Sequence, residues 1–309
     1  MDFRELSYVM AIAKYQNITK AAESLYIGQP ALSRFLKALE YEMGQPLFRK
    51  LGNKYVLTYA GERYVERANQ ILSIKSDMDE EMADIMKKDM GVLKVAIPTM
   101  RSTYMLPSTL IPFREMHPNV KVEIVEGHSS ELDHKILTGE ADVAFYTQSL
   151  NDINPLLDYE ILSEEELLIC AYHGHPLNKL AKSTAGGKYP HLDLAYLKDE
   201  FMIMMRKDQR TRQIVDSYLR EANVQIKRAL YTNNLPALIE LVATGYGVSF
   251  IFEPHLRHRI TTIPIDCFSF GEPRSTSNFV VAWRKGSYLP TYTRDYIDIV
   301  RQTQQIVRK

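Results

Sequence analysis

Only two cysteines occur in 309 residues, which excludes a disulfide framework and the four-thiol zinc sites built from paired Cys-x-x-Cys motifs. Long apolar runs are missing as well. No eighteen consecutive apolar residues are present to span a bilayer, and the N-terminus lacks the basic segment and apolar core of a secretion signal, so the expected location is the cytoplasm, with no membrane partner. Net charge is absent, since 38 Lys and Arg balance 38 Asp and Glu. A protein that coats nucleic acid nonspecifically carries a large positive excess, so a neutral total argues against that class. Catalytic signatures are missing too: there is no Gly-x-Ser-x-Gly elbow, no Gly-x-x-x-x-Gly-Lys-Ser/Thr loop and no Gly-x-Gly-x-x-Gly fingerprint. No enzyme activity, catalytic residue or cofactor is therefore expected. His173-Gly174-His175 lacks a nearby cysteine or acidic companion and reads as a loop tip rather than a metal site. Cys170 and Cys267 lie in apolar, strand-like stretches where a free thiol packs as a small hydrophobe, with no neighbouring cation evident to lower either pKa.

What is present concentrates between Ile18 and Gly44. Thr19 to Tyr26 and Gln29 to Glu40 read as two helices joined by a tight Ile27-Gly28 turn. Leu32, Leu36, Leu39 and Met43 recur at spacings of four, three and four, a stripe that packs. On the opposite side lie Gln29, Pro30, Ser33, Arg34 and Lys37. An amide, a hydroxyl and two cations there suit the major groove, where Arg or Lys bonds guanine and Gln bonds adenine. Leu47 to Lys50 and Asn53 to Thr58 then read as a strand, turn and strand, making a wing. From Lys20 to Lys54 six basic residues face three acidic ones, a local excess of three positive charges where phosphates would lie.

Residues 2 to 65 resemble the N-terminal winged helix-turn-helix of the LysR-type transcriptional regulators. The likeness rests on Asp2-Phe3-Arg4-Glu5-Leu6, Ala21-Ala22, Gln29-Pro30-Ala31-Leu32-Ser33-Arg34, Leu39-Glu40, Leu47-Phe48-Arg49 and Leu57-Thr58-x-Ala60-Gly61, all in order. It departs at Gly28, where the family usually has Ser or Thr to cap the recognition helix; glycine there costs only a few tenths of a kcal/mol but removes a hydroxyl. Phe35 and Tyr59 also stand where more polar residues are common. The resemblance leaves a redox pairing of Cys170 and Cys267 open as the alternative to packing.

From Gly61 to Lys88 neither proline nor further glycine interrupts. Tyr64, Ala68, Ile71, Lys75, Met78, Met82 and Ile85 alternate at spacings of four and three, a coiled-coil seam with one polar break at Lys75. Such a stripe seeks a partner, and a dimer reads two half-sites on one DNA face. Beyond Gly91 strands and helices alternate: strands at 93–97, 120–125, 141–146, 167–172, 201–205, 227–231, 248–252 and 279–284, and helices at 130–137, 212–221, 235–243 and 290–307. This pattern predicts a parallel or mixed sheet with helices on both faces.

The second part also resembles the LysR-type effector domain, through Leu106-Pro107, His117-Pro118-Asn119-Val120, Glu126-Gly127, Gly139 to Ala144, His175-Pro176-Leu177 and Leu241 to Val248. The expected architecture is α/β overall: a mostly α winged helix-turn-helix at 1–60, a linker and dimerisation helix at 61–89, and a two-lobed α/β domain of the periplasmic-binding-protein type at 91–309. One lobe would comprise 91–163 and 266–309, the other 164–265. Ligands of open α/β sheets sit at the carboxyl ends of strands and the N-termini of helices. Thr99, Arg101 and Ser102 after the first strand, Ser129 after the second, and Met204, Arg206 and Asn234 from the other lobe are the expected effector residues, with a small organic anion as ligand. For DNA they are Gln29, Pro30, Ser33 and Arg34 at or beside base edges, Lys37 on phosphates, and Arg49, Lys50 and Lys54 on the wing.

The function this implies is sequence-specific transcription regulation controlled by a small-molecule effector. Promoter DNA, a homodimer or homotetramer, and RNA polymerase are the expected partners. The alternative is a ligand-binding protein whose N-terminal unit serves protein assembly.

Overall fold

A computed structural model describes residues 2–86, 90–148, 153–184, 186–259, 261–272 and 274–306. The last residues of the expected linker, 87–89, and Val307 of the closing helix lie outside them. The chain forms two compact units, one built on Met1–Lys88 and one on the sheet-rich remainder.

In the first unit Asp2 opens α1 (Phe3–Tyr15) with a capping box, its carboxylate accepting from the Glu5 N–H while Glu5 accepts from the Asp2 N–H. Asn17 caps α2 (Ile18–Ser24), and α3 (Gln29–Met43) ends at Gly44, whose φ of 65° only glycine adopts cheaply. Leu32, Leu36 and Leu39 of α3 are buried with Val9, Ile12, Ala21, Ala22 and Leu47, so the spacing of the stripe is the spacing of the core. Met43, counted in that stripe, is exposed because the helix ends there. β1 (Phe48–Leu51) and β2 (Lys54–Leu57) pair antiparallel around Gly52-Asn53. The wing is tied down by the Glu40 carboxylate, which accepts from Leu47 N–H at 2.7 Å and Phe48 N–H at 3.0 Å, and by Tyr55 N–H on the Gln16 carbonyl at 2.8 Å.

Helix α4 (Tyr59–Ile85) starts where Thr58 caps Gly61 N–H. Gly61 is required by proximity, since a Cβ there would stand 2.0 Å from the Leu47 carbonyl oxygen. The far part of α4 carries its apolar residues outward: Ile74 is 59% exposed, Met78 55% and Met82 44%. Ile74 thus joins the stripe, while Lys75 turns to an ion pair with Asp79 and to the Phe3 ring.

The second unit contains β3 (Gly91–Pro98), α5 (Thr99–Met116), β4 (Val120–Gly127), α6 (Leu132–Leu137), β5 (Val143–Gln148), β6 (Leu157–Tyr172), β7 (Phe201–Met205), α7 (Arg210–Glu221), β8 (Arg228–Thr232), α8 (Leu235–Ala243), β9 (Ser249–Phe252), α9 (Glu253–Arg257), β10 (Ile265–Phe268), β11 (Thr276–Arg284) and α10 (Thr291–Ile306). The sheet runs β10-β6-β11-β5-β3-β4, with β9 also on β6. It is mixed: β3 is parallel to β4 and β5, whereas β6, β9, β10 and β11 pair antiparallel, and β7 and β8 form a separate parallel two-stranded sheet.

Strand β6 is longer than its sequence suggests. The expected strand at 167–172 begins at Leu157 instead, and within the added stretch Glu165 neutralises a buried arginine, Glu164 accepts from the Thr276 hydroxyl and Glu166 from that of Ser269. One half of β6 pairs with β11, the other with β9 and β10, so a single strand runs through both parts of the sheet.

Candidate functional site

The outer face of α3 is built as expected from its spacing. Gln29, Pro30, Arg34 and Lys37 are exposed and Ser33 is half-buried. Gly28 holds the extended cap conformation without a side-chain cap bond, and its carbonyl accepts from Ala31 N–H at 3.0 Å and Leu32 N–H at 3.2 Å. Among the described residues no ion pair engages Arg34, Lys37, Arg49 or Lys54. Lys50 rests its ammonium 5.2 Å from the Tyr55 ring centre. Phe35 packs edge-on against Tyr8 at 5.2 Å, so its apolar character serves the fold.

The second unit encloses a cavity of about 510 Å³. Its walls come from strand ends and helix starts: Pro98 to Arg101 and Thr103, Gly127 to Ser129, Thr147, Met205, Gln209, Thr211, Thr232 to Pro236, and His255. Helices α5 and α7 both begin here without a side-chain cap, and α8 begins here under Asn234. Three positive dipole ends in one cavity favour an anion.

Of the expected effector residues, Thr99, Arg101, Ser129 and Asn234 line this cavity together. Ser102, Met204 and Arg206 do not. The Ser102 hydroxyl is engaged by the Thr99 carbonyl and the Glu126 carboxylate. Met204 faces a separate depression of about 500 Å³ beside Arg212 and Tyr231, whereas its neighbour Met205 faces the cavity. Arg206 is exposed near Asp208.

Arg101 plays a different electrostatic part from a free cation. It is 1% exposed, gives two hydrogen bonds of 2.8 Å to Glu165 and one of 2.8 Å to Thr147, and lies over the Phe279 ring. Burial opposes its charge, and the Glu165 carboxylate more than restores it, so the guanidinium stays ionised and already neutralised.

Sequence reasoning did not single out Gln209, Thr211 or His255. Gln209 is 7% exposed and its amide nitrogen has no hydrogen-bond partner. His255 is 9% exposed, with an unpartnered Nδ1, in the short helix α9 that no periodicity announces. Burial, then the Arg101 and His258 charges, push its pKa down to about 3, so the imidazole is neutral. Protons therefore bind the unfolded chain first, near pH 6.5, and stability falls as pH drops below that value towards 3. The expected contribution is up to about 1.4 kcal/mol per pH unit. Urea melts between pH 7 and 5 should show a shallower slope for His255→Phe; an unchanged slope would mean His255 is protonated in the fold.

The model of the bacterial regulatory helix-turn-helix protein, lysR family, matches residues 3–62, and that of the LysR substrate binding domain matches residues 87–305. The chain belongs to the LysR family. It is a DNA-binding transcription regulator with a helix-turn-helix and an effector-binding domain. Among LysR-family relatives, the uncharacterized HTH-type transcriptional regulator YybE of Bacillus subtilis is 28% identical over 293 residues, 94% of each chain. The HTH-type transcriptional regulator BudR of Raoultella terrigena is 28% identical over 289 residues, 92% of this chain and 95% of that one. The full-length LysR regulator CbnR, solved with its target DNA, shares the fold at a TM-score of 0.63 and 22% identity, covering 98% of this chain and 100% of its own.

Proposed function

We propose that this LysR regulator divides as 1–60 for DNA reading, 61–89 for linkage and dimerisation, and 91–309 for effector binding, with one lobe at 91–163 and 266–309 and the other at 164–265. The single observation that carries the DNA-contact reading is the unengaged outer face of α3 beside a basic wing. Gln29, Ser33 and Arg34 read base edges with Pro30 packed beside them, and Lys37, Arg49, Lys50 and Lys54 hold phosphates. CbnR, of the same fold, has been solved on its own target DNA, which supports this placement.

The outward stripe of Ile74, Met78 and Met82 on α4 is apolar surface suited to a second copy of the same helix, giving a homodimer that presents two α3 helices to successive major grooves. Effector domains pair such dimers into a tetramer. The cavity between Thr99, Ser129 and Asn234 takes a small organic anion, held by helix starts rather than by Arg101, whose charge Glu165 has already met. Preference of the ligand for one lobe arrangement shifts the population of that state and alters the DNA and RNA polymerase contacts. The protein works in the cytoplasm; no helix among the described residues is long and apolar enough to cross a membrane.

The test is a mobility-shift assay of the full chain on its own upstream DNA against random duplex, repeated with small carboxylates that raise its melting temperature. Preference for the upstream fragment, and a footprint that changes with the stabilising carboxylate, are expected. Equal affinity for both duplexes would remove the DNA-contact reading, and an unchanged footprint at saturation would remove the coupling.

A further inference from the structure

The two cysteines stand 97 positions apart in sequence and face each other in space. Cys267 of β10 pairs directly with Cys170 of β6 in an antiparallel register that also pairs Ile169 with Phe268 and Ala171 with Asp266. Directly opposed residues of antiparallel strands share a face. Their Cα atoms stand about 4.5–5.5 Å apart, inside the range that a disulfide bridges. The two sulfurs are 3.9 Å apart, with the Cys170 thiol donating to Cys267.

Their surroundings differ in a way that assigns roles. Cys170 is fully buried in an apolar cluster with Leu168, Ile203, Leu238 and Ile251, and burial pushes its thiol well up. Cys267 is half-buried on a strand at the sheet edge. The hydrogen bond from Cys170, aided by the Arg259 charge, holds its thiol below the usual range against the opposing effect of burial. Arg259 is the cation that local sequence did not show beside either cysteine. Its Nε has no hydrogen-bond partner.

We propose that Cys170 and Cys267 form a dithiol modification site that small disulfides of the glutathione class oxidise to an intrachain cross-strand disulfide. Cys267, as thiolate, attacks one sulfur of R–S–S–R, forming a mixed disulfide and expelling RS⁻, which takes up a proton. Cys170 then releases its proton to solvent and attacks the Cys267 sulfur, breaking the mixed bond and expelling the second RS⁻, which is protonated in turn. Two protein thiols and one small disulfide become one protein disulfide and two small thiols. Closing 3.9 Å to about 2.05 Å draws β10 onto β6. The cluster that holds both sulfurs also contains Met205, Leu235 and Met100, which line the effector cavity, so oxidation repacks that wall.

The experiment treats the full native chain with oxidised glutathione at neutral pH, followed by acid quench, intact mass and peptide mapping. The wild type should lose two hydrogens with residues 170 and 267 in one linked peptide, reversibly on addition of dithiothreitol. Cys170→Ser should stop with one glutathione on Cys267, and Cys267→Ser should stay unmodified until unfolded. Because the wild-type map stands without either variant, a variant that misfolds does not decide the matter. Two free thiols in the native wild type after the time in which the unfolded chain oxidises would overturn the proposal. So would first attachment of glutathione at Cys170, or disulfides only between chains.

Discussion

Arg34→Ala should sharply reduce preference for the cognate site while leaving binding to scrambled duplex nearly intact. Arg34 is exposed on the outer face of α3, one helical turn past the uncapped N-terminus, and no ion pair among the described residues holds it. A bidentate contact from Arg to guanine is worth about 1–3 kcal/mol of discrimination, or roughly five- to two-hundred-fold in the affinity ratio. Lys54→Ala on the wing should behave oppositely, weakening all sequences alike and flattening the slope of log affinity against log salt by about one unit. Titrations of both variants on cognate and scrambled DNA across a salt series separate the two effects. Equal loss on both duplexes for Arg34→Ala would place that side chain on phosphate.

Glu165→Gln should destabilise the second unit by about 3–5 kcal/mol, because it strands a charged guanidinium in the interior. The Arg101 and Glu165 side chains are 1% and 2% exposed, and Thr147 closes the network by donating to Glu165 at 2.8 Å while accepting from Arg101. The pair itself contributes far less than its breaking costs, since both ions were desolvated to form it. Arg101→Met combined with Glu165→Leu should therefore recover most of the stability lost by the single variant. Urea unfolding followed by near-ultraviolet circular dichroism measures both. A loss under about 1 kcal/mol for Glu165→Gln would mean that water reaches the pair.

The DNA-reading unit is more legible in sequence than the ligand cavity, for a physical reason. Helix α3 carries its core and its outer face at one period, so Leu32, Leu36 and Leu39 inside place Gln29, Arg34 and Lys37 outside without further knowledge. A cavity wall has no such internal reference. Met204 and Met205 are adjacent on a strand and point to opposite faces, and which face meets the cavity depends on a distant partner. Helix α5 turns Thr99 and Thr103 towards the cavity and sends the hydroxyl of Ser102 to Glu126, a difference set by where the helix begins. Arg101 does line the cavity, but that its charge is already met there is not legible locally, because its counterion Glu165 lies 64 residues away. The cysteine pair is hidden in the same way, by a register that only the fold reveals.

The closing helix α10 has a consequence for how the protein is made. Its Tyr296 packs edge-on against Phe113 of α5 and shares a 3.1 Å hydrogen bond with Thr109, while Asp295 meets His117 at 2.8 Å. The sheet half that starts near residue 91 is thus sealed by a helix whose Tyr296 leaves the ribosome 187 residues after its partner Thr109. The three-helix unit at the other end depends on contacts of short sequence separation, which form quickly once emerged. Translation therefore delivers an operator-reading head before the sensory half can close around anything.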